Sequence, residues 1–279
     1  MMGRSHAMSA AALSLTATAV GVGPLEATAP AAVIAMYTGV FVGGALKPDL
    51  DSGSSTVVKS FGFIGDGMHS VVNAFSLLVY NLTRGRNDKP RNNGHRTLTH
   101  TVAWTLVEAA LLVALIGWLS SITAPLPFDV FGKEFTIGNA VTLLITGFFI
   151  HVGLGGLFDF INSRRKGLGV IISLAGSLVL TGLIALGLPE DDNYWWLGVA
   201  AGLGTLTHLA GDFPTKMGIP ALWPLKIRGK RWYDLSLPGF MRFKAGGMVE
   251  TKILFPAFTL ITMVSGFAVI YQNLTGHWF

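Results

Sequence analysis

The chain contains no cysteine. That excludes disulfides and thiolate metal sites, so any metal must be held by histidine or carboxylate. Charge is scarce as well: 13% of the 279 residues are Asp, Glu, Lys or Arg, against roughly 25% in a soluble domain. A water-soluble fold of this length needs a charged surface that these residues cannot supply. What the chain has instead is apolar residues, 51% of the total, together with 35 glycines. The apolar residues fall in long blocks, and small residues let membrane helices approach closely. The net charge of +5 is gathered in a few loops, the pattern of a cytoplasmic membrane face and not of a nucleic-acid surface. No nucleic-acid partner is therefore expected. With no internal repeat and no low-complexity linker, residues 1–279 read as a single domain.

A transmembrane helix needs roughly 20 mainly apolar residues. The stretches 29–46, 101–123, 137–160, 168–188, 194–212 and 253–274 meet that requirement. A seventh, 8–23, is rich in Ala, Ser and Thr but uncharged. Ala27-Thr28-Ala29 resembles a signal-peptide cleavage site, yet Pro30 immediately after it argues for retention. The expected fold is thus all-α, a polytopic transmembrane bundle of about seven spans. The apolar run 68–80 is too short to cross and is expected to form an interfacial or re-entrant helix.

Basic residues cluster at 81–100, at Arg164-Arg165-Lys166 and at 213–252, whereas Glu190-Asp191-Asp192 has no positive neighbour and 124–136 has only Lys133. Seven spans with the N-terminus inside put all three basic groups in the cytoplasm of an inner membrane.

On that topology, the residues able to bind metal fall at the cytoplasmic ends of their helices. His6 precedes the first span, and Asp49 and Asp51 follow the second. His95 and His100 enter the third, His208 and Asp212 close the sixth, and Glu250 opens the last. His208 and Asp212, four apart, project from one helix face and can chelate one ion; the alternative is a polar helix end facing headgroup water. Asp49 and Asp51 can bridge or share ions, or form a solvated acidic turn. Thr97 is the expected N-cap of the third span, placing His100 in its first turn. Arg96 can clamp a phosphate bidentately, or serve a basic loop drawn to anionic lipid. His69, His151 and Asp159 are weaker candidates; His151, mid-span, reads as a helix–helix hydrogen bond.

Five stations in order carry a resemblance to a family. They are His6; Gly43-Gly44-Ala45-Leu46-Lys47-Pro48-Asp49-Leu50-Asp51; His95-Arg96-Thr97-Leu98-Thr99-His100-Thr101; the run from Thr207-His208-Leu209-Ala210-Gly211-Asp212 to Trp223-Pro224; and Lys244-Ala245-Gly246-Gly247-Met248-Val249-Glu250. Together they resemble the YdjM-like inner-membrane proteins, described as metal-dependent hydrolases and sometimes as LexA-regulated. The resemblance implies an integral-membrane hydrolase using divalent metal. The ligand order is also similar, more loosely, to that of zinc-dependent phospholipase C.

The expected chemistry is hydrolysis of a phosphoester on a lipid or other amphiphile at the cytoplasmic leaflet. One or two divalent ions, zinc by ligand type with manganese or iron as alternatives, would be held by His6, Asp49, Asp51, His100, His208 and Asp212. Glu250 or a spare Asp would accept a proton from water, with His95, Arg96 and Lys216 stabilising phosphate charge. The segment 222–243 would cover the site at the interface. The rival expectations are a transporter or ion pathway, and a scaffold whose metal holds helices together.

Overall fold

The protein is described by a computed structural model covering residues 1–22, 29–127, 129, 132–158, 167–188 and 193–276. Among these residues the regular structure is helical, with only isolated β-bridges in the connections. The principal helices are α1 (Gly3–Val22), α2 (Ala31–Leu46), α3 (Thr56–Ser60), α4 (Phe63–Thr83), α5 (Val102–Ser120), α6 (Ile137–Leu157), α7 (Leu168–Leu186), α8 (Trp196–Asp212) and α9 (Phe255–Thr275). A π-helical turn, Glu250–Leu254, leads into α9, and a 3₁₀ turn, Lys47–Asp51, continues α2.

Five of these are long and apolar enough to cross a membrane: α2 with its following turn, α5, α6, α7, and α9 with its preceding turn. The two other expected spans form helices of a different kind. α1 runs 20 residues, but its Ala, Ser and Thr content makes it less apolar. α8 has 17 residues, about 25 Å at 1.5 Å per residue, short of a ~30 Å hydrocarbon core. Both pack against the spanning helices.

The apolar run at 68–80 proves to be the middle of a 21-residue helix, α4. Gly65, Asp66 and Gly67 interrupt the hydropathy without interrupting the helix. Gly65 lies so close to the Val58 carbonyl that a Cβ would collide with it. Hydropathy alone therefore truncated a helix whose first turn is shaped by contact. Asp159, Arg164-Arg165-Lys166, Glu190-Asp191-Asp192 and the Ala27-Thr28 pair lie outside the described residues.

α2 sits at the centre, packed on α8, α6 and α1; α1 in turn packs on α9, and α5 on α8. Glycine makes this possible. A Cβ on Gly204 of α8 would meet the Phe41 carbonyl of α2, and one on Gly44 of α2 would lie 2.5 Å from the Ala201 carbonyl oxygen of α8. The helices thus meet backbone to backbone, and Thr205 Oγ1 donates across the seam to the Gly44 carbonyl at 3.1 Å. The outer faces carry large exposed apolar side chains: Leu106, Leu111 and Leu115 on α5, Leu174 and Leu178 on α7, and Leu260, Met263 and Phe267 on α9. Such a surface suits lipid, not water. Caps fix the helix starts where the polar loops end. Thr101 Oγ1 accepts from Trp104 N at 3.2 Å, and Thr136 forms a capping box with Asn139.

Candidate metal centre

The central packing of α2 brings three chain segments to one end of the bundle. α2 runs into the Lys47–Asp51 turn, α8 ends in His208 and Asp212, and a 3₁₀ turn, Leu98–His100, stands before α5. α1 adds His6 from its first turns. Thr97, the expected cap, makes no capping hydrogen bond; Thr101 is the cap, so His100 precedes α5 instead of lying in its first turn. The reason is local: Thr97 Oγ1 turns back to donate to the Gly94 carbonyl.

His6, Asp51, His100, His208, Asp212 and Glu250 are all buried. Two groups could each hold an ion, with ligand atoms within 4.8 Å of one another: His6, His208 and Asp212, and Asp49, His100 and His208. His208 belongs to both. Its Nε2 lies 3.2 Å from His100 Nε2, 3.8 Å from Asp212 Oδ2 and 3.9 Å from Asp49 Oδ1. His100 Nε2 lies 3.7 Å from Asp212 Oδ2. The His6 ring stacks on His208 at 3.7 Å between centroids, and its Nε2 is 3.3 Å from Asp212 Oδ1.

The proton positions on these rings follow from their partners. His208 Nδ1 is 2.7 Å from the Ala45 carbonyl, which only accepts, so Nδ1 carries the hydrogen. His100 Nδ1 faces Asp51 Oδ2 at 3.3 Å and Thr99 Oγ1 at 3.0 Å. Thr99 gives its own proton to Asp51 at 2.5 Å, so His100 Nδ1 also donates. Two Nε2 lone pairs then confront each other at 3.2 Å. Two buried acceptors at that distance repel unless a cation or shared proton lies between them. Among the described residues, His6 Nδ1 has no hydrogen-bond partner, and its Nε2 has only the off-angle contact with Asp212. Imidazole held through Nδ1, with carboxylates alongside, is a donor set that suits a borderline divalent ion such as zinc. The residues fit the group.

The remaining expected residues divide by role. Asp51 lies outside both candidate ligand groups and lies behind His100. Its carboxylate accepts from His95 Nδ1 at 2.7 Å, the Arg96 amide at 3.0 Å and Thr99 Oγ1. Burial pushes the His95 imidazole down, but the hydrogen bond and charge of Asp51 outweigh it and hold its pKa above the ordinary value. Arg96 is buried and turned inward: a guanidinium nitrogen lies 2.7 Å from Asp212 Oδ2. It also donates to Thr215 Oγ1 at 3.1 Å and the Gly218 carbonyl at 3.2 Å. Its backbone takes φ 54°, the left-handed region. Glu250 accepts from the Met2 amide at 2.6 Å and the Gly246 amide at 2.8 Å. The Met1 amino group pairs with Asp212.

Lys216 is exposed. His69 bonds the Leu50 carbonyl at 3.0 Å and His151 the Ser60 carbonyl at 3.1 Å, so each tethers one element to another outside the ligand groups. Thr99 and the Ala45 carbonyl orient the imidazoles, yet neither was singled out by residue type. The 222–243 segment packs onto α4 through stacked Trp223 and Trp232, 4.9 Å apart, with Trp232 also on Tyr80 at 5.0 Å.

The arrangement defines a polytopic membrane protein with a buried histidine–carboxylate cluster able to bind metal at one end of its bundle. The sequence matches the YdjM inner membrane protein family over residues 1–274, and the chain belongs to that family. Comparison with curated proteins and with solved structures finds no match.

Proposed function

We propose that the protein is a divalent-metal-dependent hydrolase of phosphoesters, acting on a lipid or similar amphiphile at the cytoplasmic leaflet of the inner membrane. The observation that carries this reading is the pair of facing Nε2 atoms of His100 and His208, 3.2 Å apart with both Nδ1 positions occupied by acceptors. His100, His208 and Asp49 would hold the ion; His6, His208 and Asp212 form an alternative set, because the one free lone pair of His208, on Nε2, serves a single ion. A bound ion would supply Lewis acidity and make water acidic enough to attack near neutral pH.

The chain's own residues supply the rest. Asp51 and the Ala45 carbonyl fix the two imidazoles. Asp49, 17% exposed, is the more open carboxylate: one oxygen would serve as ligand, leaving the other to accept the proton from the attacking water. Both Glu250 oxygens are taken by backbone amides, which makes it the second choice. Water adds to phosphorus, the P–O bond to the leaving alcohol breaks, and that alkoxide recovers the proton. His95, at the more open side of the Asp51 hydrogen bond, would meet phosphate charge. Arg96 acts by holding Asp212.

The test is metal content and phosphoester turnover of the purified protein against a His100→Ala/His208→Ala variant. Bound metal and turnover in the wild type, both lost in the folded variant, support the reading. Unchanged stoichiometry removes its basis.

A further inference from the structure

Beside the cluster lies a cavity of about 590 Å³, within the roughly 300–1,000 Å³ range of small-molecule sites. Its walls are α4, α5 and α6, represented by Val72, Phe75, Leu112, Ile145 and Phe149. Its floor adjoins the site: Pro48 and Leu50 flank Asp49, and Leu98 and Thr99 precede His100, the ligand side chains themselves lying behind these turns. The outer lip includes Val71, Leu115 and Leu144, large apolar side chains exposed on the faces that suit lipid. An apolar passage thus joins the membrane side of the bundle to the backbone turns carrying the ligands.

Charged groups are few among the described residues of this lining. Lys47 and Glu108 line it and pair at 2.8 Å, with side chains 15% and 26% exposed. Charges against hydrocarbon are expensive and mark function. Lys47 lies two residues before Asp49, and its ammonium, held by Glu108, is a compact point charge suited to phosphate. Ser76 also lines the cavity; its hydroxyl is buried without a hydrogen-bond partner, although a buried donor is normally satisfied. Another cavity, about 540 Å³ between α1, α2, α6, α7 and α9, has no charged side chain among the described residues of its lining.

We infer that the substrate is a phosphate-bearing membrane lipid whose acyl chain lies in the cavity between α4, α5 and α6, with its phosphate reaching Lys47 and the histidine cluster. The lipid enters sideways from the bilayer, and α4 forms the wall it passes. This rests on the hydrolase reading for the chemistry at the cluster, but the cavity is tested by binding alone.

The experiment reconstitutes the full chain in phosphatidylethanolamine–phosphatidylglycerol vesicles doped with either of two photoreactive probes. One is phosphatidic acid with a diazirine on its acyl chain; the other is diacylglycerol with the same chain. Adducts are mapped by mass spectrometry, and metal content is measured on the same preparation. Phosphatidic acid is expected to label α4, α5 and α6 residues of this cavity about tenfold more than diacylglycerol. A Val71→Trp/Leu144→Trp variant, altered at two exposed lip positions, is expected to cut that labelling by a similar factor with metal content unchanged. Equal labelling by both probes indicates ordinary bilayer contact and overturns the inference, as does label confined to the α1–α9 cavity. Metal-loaded protein labelled elsewhere sinks the cavity and leaves the hydrolase reading standing. Cavity labelling in protein that never binds metal does the reverse.

Discussion

Replacing His208 by alanine is the sharpest perturbation of the cluster, because both candidate ligand groups contain it. Each would fall from three ligands to two. Removing only a hydrogen-bonded partner behind a ligand typically costs 10–100-fold in metal affinity, so loss of a shared ligand is expected to exceed about 100-fold. A second effect must be separated from the first. His208 Nδ1 donates to the Ala45 carbonyl at 2.7 Å, and leaving that buried acceptor bare costs roughly 1–3 kcal/mol. His151 provides the matched control. It is likewise buried, donates through Nε2 to the Ser60 carbonyl at 3.1 Å, and lies outside both ligand groups. His151→Ala should therefore lose a similar ~1–3 kcal/mol and no metal. The assay is elemental analysis of detergent-purified protein together with Tm measured with and without added zinc. At a hundredfold excess over Kd a ligand stabilises by about 2.7 kcal/mol, several degrees of Tm in a chain of this size. Wild type and His151→Ala should show that gain, and His208→Ala should not. Equal metal loss in both variants would mean that histidine burial, not ligation, governs occupancy. A zinc response intact in His208→Ala would refute the shared-ligand argument outright.

Three further outcomes follow from the same geometry. Asp51→Asn keeps the shape behind His100 but removes the charge that orients it, and should weaken zinc binding about 10–100-fold in a chelator competition; an unchanged affinity would show that Asp51 serves only the backbone turn. Arg96 sits at φ 54°, so Arg96→Gly should be more stable than Arg96→Ala by about 1 kcal/mol in thermal unfolding, although both lose the contact with Asp212; equal stability would count against the left-handed backbone. Glu250→Ala strips two backbone amides of their acceptor and should cost ~1–3 kcal/mol, while Glu250→Gln, able to accept one of them, should recover part of that loss; a Gln variant with normal stability but no turnover would make Glu250 the proton acceptor in place of Asp49.

What could be read from residue order was whatever depends on local periodicity. The apolar blocks at 137–160 and 168–188 became α6 and α7, because twenty apolar residues in hydrocarbon have only the helix to satisfy their backbone. The four-residue spacing of His208 and Asp212 put both on the buried face of α8, since that spacing is a property of the helix alone. The length of α4 was not readable, because its first turn is set by Gly65 meeting the Val58 carbonyl, a contact and not a hydropathy. The same limit applies to the acidic pair. Asp49 and Asp51 look equivalent in sequence, yet Asp51 is turned under the 95–100 segment and Asp49 faces the histidines. Which of them faces the cluster is decided by a partner more than forty residues away. Arg96 shows it most clearly. By type it is a phosphate clamp, but Asp212, Thr215 and the Gly218 carbonyl already occupy its guanidinium. The same convergence that gathers the ligands also buries and pairs the arginine nearest to them, so charge for an incoming phosphate falls to the more open pairs at the edge, His95 with Asp51 and Lys47 with Glu108. A mutational survey that found Arg96 controlling KM, with Lys47 silent, would reverse that assignment.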